Sequence, residues 1–67
     1  MEQKKTFFVE ITYNDDSTMN FDVTIEGKEH EIRATLMMVT RGTLMASGGH
    51  RATAYNDQGF DVCSYVR

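Results

Sequence analysis

The sequence predicts a small single α+β domain, an antiparallel sheet of about five strands in the order β-β-β-α-β-β with one helix packed on one face. Three observations carry that expectation. Residues 6–13 and 19–26 alternate apolar and polar side chains, as half-buried strands do. Residues 35–47, TLMMVTRGTLMAS, repeat apolar positions at helical spacing and end at Gly48-Gly49. Residues 50–55 and 60–66 flank a polar, glycine-ended turn, the mark of a further hairpin.

In the first strand Phe7, Val9, Ile11 and Tyr13 share the inner face, leaving Phe8, Glu10 and Thr12 outside, while residues 1–5 are expected to fray. Asn14, Asp15, Asp16 and Ser17 suit a turn, because their short polar side chains bond to nearby backbone. Met19, Phe21, Val23 and Ile25 then point inward. Pairing Ile11 with Phe21, Val9 with Val23 and Phe7 with Ile25 matches all these apolar residues in one register. Glu26 and Gly27 are expected to form a tight turn into a third strand over residues 28–34, with His30 and Ile32 inward and Glu29, Glu31 and Arg33 outward.

The helix is expected over residues 35–47. Thr35 would cap its start, and Met37, Met38, Leu44 and Met45, with Ala34 and Gly42, would form the buried stripe. Gly42 would allow close approach to the sheet. Several residues here, among them Thr40, Gly42 and Thr43, are poor helix formers, so the segment needs packing to hold it. The alternative is a pair of buried strands, residues 36–40 and 43–47, turning at Arg41-Gly42. In the last hairpin Asn56 pairs with Phe60 and Gly59 takes a left-handed position. Ala52, Ala54, Phe60, Val62 and Val66 then face the helix, and Arg51, Thr53, Tyr55, Asp61, Cys63 and Tyr65 face away.

At 67 residues the chain can bury only about 60% of its unfolded surface. With 40% hydrophobic residues and no Pro, it has a globular composition. The net charge is -3, unlike that of a general nucleic-acid binder. The charge is unevenly spread: eight acids and three lysines precede Arg33, whereas Arg33, Arg41, Arg51 and Arg67 outnumber Asp57 and Asp61 after it. No stretch resembles a signal peptide or a membrane span, and one Cys cannot close an internal disulfide, so a cytoplasmic location without membrane contact is expected.

Cys63, His30 and His50 lack the paired spacings of a zinc site, and the expected register keeps Cys63 and His30 on opposite faces. Glu29 and Glu31 fit a solvated face better than an acid–base pair. Gly48-Gly49 follows the helix rather than opening it, so it is not a phosphate loop. A protein without catalytic activity, cofactor or metal is therefore expected. The candidate binding residues are Phe8, Arg33, Arg51, Tyr55 and Tyr65, aromatic and guanidinium groups placed together on the outer sheet face. That face, or a free strand edge, is expected to dock an unknown protein partner or a second copy. The alternative is a single-stranded nucleic-acid module, with the aromatics stacking on bases and the arginines meeting phosphates. Glu10, Asp22, Glu31 and Asp61 on the same face weigh against it.

Overall fold

The computed structural model describes residues 2–67. Its elements are β1 (Gln3–Thr12), β2 (Thr18–Gly27), α1 (Glu29–Ser47), β3 (Arg51–Tyr55) and β4 (Asp61–Val66). The strands form one antiparallel sheet in the order β2-β1-β3-β4, with α1 against one face. The α+β class and the single covering helix are as expected. Four strands, rather than about five, make the sheet.

The missing strand lies in the helix. Residues 28–34 alternate like a strand, yet they open α1, which starts at Glu29 rather than Thr35. Ile32 continues into Leu36, Thr40 and Leu44 at four-residue intervals, and these four are the buried positions of α1. That stripe outweighs a short two-residue alternation because it seats the whole helix on the sheet. Glu31 completes the start: its carboxylate Oε1 accepts the Lys28 backbone N–H at 2.9 Å. Thr35 is an exposed helix-interior residue instead of a cap.

The buried face of α1 also differs from the expected one. Met38 is 74% exposed and Met45 57%, and Gly42 has open space where a side chain would lie. Leu44 is buried as expected, but its companions there are Ile32 and Leu36, and the three join Phe7, Val9, Ile11, Ile25, Ala52 and Ala54 in the core. Thr40 is fully buried among them without a polar penalty, since its hydroxyl donates to the Leu36 carbonyl at 2.7 Å. Gly48 ends the helix in the left-handed conformation, φ 75°. Gly49 follows against the core, where a Cβ would overlap the Ile11 Cγ2 atom.

In the first hairpin both inner faces are as expected, but the register is displaced by two residues. Ile11 pairs with Met19, Val9 with Phe21 and Phe7 with Val23. The turn explains the displacement. Tyr13 N–H donates to the Ser17 carbonyl at 2.9 Å, centring the loop on Asp15, and Asp16 takes a positive φ of 67°. Asp15 accepts both the Ser17 hydroxyl and its backbone N–H, and these bonds hold its carboxyl below the ordinary pKa of an aspartate. The strand begins at Gln3, ahead of the expected Thr6: Lys4 pairs with Glu26 and Lys5 with Ile25.

The last hairpin has the expected turn, with Asn56 N–H bonded to the Phe60 carbonyl at 2.9 Å and Gly59 at φ 84°. Past the turn a bulge inserts one residue. Tyr55 pairs with Asp61, but Ala54 pairs with Cys63 and Ala52 with Tyr65. A one-residue insertion reverses the facing of everything beyond it. Cys63 and Tyr65 therefore turn toward the helix side, while Ser64 and Val66 turn outward. Phe60, expected inside, is 65% exposed, as is Val66.

Two outcomes test this packing. Leu36→Ala should cost about 2–5 kcal/mol in urea unfolding, and Met38→Ala under about 0.5 kcal/mol; equal costs would contradict the assigned stripe. Gly42→Ala should raise stability by about 1 kcal/mol, because an exposed helical glycine gains propensity without a clash. A loss would show that Gly42 lies against packed atoms.

Candidate functional site

The sheet has one face under α1 and one bare face, and the registers order the bare face into rows. One row runs Asp22, Phe8, Tyr55, Asp61 across β2, β1, β3 and β4. The next runs Asn20, Glu10, Thr53, Ser64, where the Thr53 and Ser64 hydroxyls lie 3.3 Å apart. Thr18, Thr12, Arg51 and Val66 form a third. An aromatic pair thus sits at the middle of the face with a carboxylate at each end.

Phe8 and Tyr55 are cross-strand neighbours, close enough for their rings to meet. Phe8 is 47% exposed and Tyr55 partly so. Arg51 lies on the same face but four residues along β3 from Tyr55, about 13 Å away at strand rise. The other two predicted site residues lie elsewhere. Arg33 is on α1, since residues 28–34 are helical, and it borders a groove beside the start of β1. Tyr65 is carried to the helix side by the bulge, where it lies near Ala34, Met37, Met38 and Arg41. Three of the five candidates share the face, and two do not.

The acids assigned to that face divide similarly. Glu10, Asp22 and Asp61 are there, whereas Glu31 caps the helix. Alternation was enough to place Phe8, Glu10 and Asp22; the bulge, which no local residue pattern announces, decides Asp61 against Tyr65.

Cys63 points inward and is partly buried, its thiol 3.9 Å from the Thr40 hydroxyl oxygen, instead of outward beside Thr53. His30 is exposed in the first turn of α1 rather than inward in a strand, and exposed His50 precedes β3. Among the described residues no group of three or more His, Cys, Asp or Glu is arranged to hold a metal, and no helix is long and apolar enough to cross a membrane.

The groove beside Arg33 has a volume of about 520 Å³ and lies between the start of β1, the first half of α1 and the β3–β4 turn. Residue spacing alone could not reveal it, because its walls come from three separate parts of the chain. Against known protein families, curated proteins and solved structures, the chain shows no match.

Proposed function

We propose that this chain is a non-enzymatic protein-interaction domain that docks a partner on its bare sheet face. The row Asp22, Phe8, Tyr55, Asp61 carries the reading. Exposed aromatic faces flanked by carboxylates suit a cationic segment of a protein: Arg or Lys lies over the rings while the carboxylates meet its charge. Glu10, in β1 two residues beyond Phe8, adds a third acid to the patch. Cys63 lies partly buried beside the Thr40 hydroxyl while both histidines are exposed, which favours a binding over a catalytic reading. A reducing cytoplasm suits the free thiol of Cys63.

A second reading, single-stranded nucleic-acid binding, draws on the same aromatic pair with Arg51. The carboxylates at both ends of the row oppose it, since a phosphate backbone along that line would meet like charge.

Fluorescence polarisation with a labelled arginine–serine repeat peptide separates these readings. Binding should weaken with salt and fall roughly tenfold, ~1.4 kcal/mol, in Phe8→Ala and in Tyr55→Ala, with folding checked by circular dichroism. The matching glutamate–serine peptide and oligothymidylate should not compete. Preference for oligothymidylate would favour the second reading. Equal binding of the cationic and anionic peptides would contradict the first.

A further inference from the structure

The opposite side of the molecule carries a second surface with different chemistry. β1 is paired with β2 along its whole length, from Gln3 to Thr12, but with β3 only over residues 8–12. At strand rise, ten residues of β1 span about 33 Å and five of β3 about 17 Å, so the first half of β1 outruns its neighbour. Over residues 3–7 the backbone edge on the β3 side has no strand partner among the described residues. Alternate N–H and C=O groups along such an edge are available to another extended chain.

The groove opens alongside this edge. Its apolar floor is made by Phe7, Ile32, Leu36 and Val62, contributed by β1, α1 and β4. Lys4, Lys5 and Arg33 border it, opposed by Glu29 and Asp57, a net positive border on a chain of net charge -3. The volume falls within the range of ligand-binding clefts. Backbone edge, apolar floor and cationic border are the three parts of a strand-addition site: main-chain bonds hold the ligand, pockets take alternate side chains, and charge selects the sequence.

We propose that this groove binds a short extended peptide that carries apolar and acidic side chains in turn at its inward, every-second positions, added as a strand beside the start of β1. Side chains two apart in such a strand share a face, so an inward apolar residue lies over Phe7 and Val62 while the next inward residue, a carboxylate, meets Lys5 and Arg33 on the same helix side. A second copy pairing through the same segment would set Lys4 and Lys5 against their own counterparts, and like charges directly opposite are destabilising. The site is separate from the Phe8–Tyr55 face and holds whether or not that face binds a cationic partner.

The test uses a labelled heptapeptide with valine and glutamate in turn at its every-second positions and serine between them, read by fluorescence polarisation and by amide chemical shifts of the whole chain. Saturable binding should shift the amides of residues 3–7 and the groove-lining part of α1, and leave Asp22 and Asp61 unmoved. Lys5→Glu with Arg33→Glu should weaken it at least tenfold while leaving arginine–serine peptide binding unchanged. The same heptapeptide N-methylated at alternate backbone positions on its pairing edge should lose binding too, since side-chain contact alone would tolerate the methyl groups. Equal binding of the matching peptide with lysine in place of glutamate, full binding of the methylated peptide, or shifts confined to β2 or β4 would each overturn the proposal. So would an absence of binding, or self-association shifting the same amides with no peptide present.

Discussion

One line of contact sets the structure: Ile32, Leu36, Thr40 and Leu44 of α1, seated in a core that includes the two small residues Ala52 and Ala54 of β3. Alanines leave room for a helix to lie close, and all six residues are within 2% of full burial. The arrangement tolerates a hydroxyl because Thr40 returns its proton to the helix backbone, which costs the core no unpaired polar group. In so small a domain there is no second layer to compensate for a loss here.

That seating decides which surfaces remain. With one helix on one face, the other face of the sheet is bare, and the cross-strand registers alone determine which side chains meet on it. The bulge between Ala54 and Tyr55 sets the end of the row, leaving Asp61 beside Tyr55 and turning Tyr65 away. The shortness of β3 leaves the start of β1 unpaired and opens the groove under α1. Two surfaces of opposite charge, an acidic aromatic face and a cationic groove, follow from one sheet having strands of unequal length.

The sequence was legible where a single periodicity acted alone. Phe7, Val9, Ile11, Phe21 and Val23 face as their alternation requires, and Gly48 and Gly59 take the positive φ their positions called for. It misled where two periods overlapped: His30, Ile32 and Ala34 fit a two-residue pattern, while Ile32 also begins the four-residue stripe that prevailed. The methionines of α1 misled for a related reason. Met37, Met38 and Met45 recur at near-heptad spacing with Leu44, but the sheet covers the face that Leu44 shares with Ile32, Leu36 and Thr40, which leaves the methionines exposed. Of the site, Phe8, Tyr55 and Arg51 were readable, whereas Arg33 followed the misread strand and Tyr65 the bulge. The groove depends on three distant segments meeting, which no local pattern encodes.

The most direct test of the account is a nitrogen-edited nuclear Overhauser spectrum of the reduced protein. It should show unbroken amide–amide connectivities from Glu29 to Ser47, with Leu36 methyl contacts to the inner residues of the sheet and none from Met38. Connectivities that begin only at Thr35, joined by cross-strand contacts between His30 and Val23, would restore a third strand and contradict the helix on which both surfaces depend.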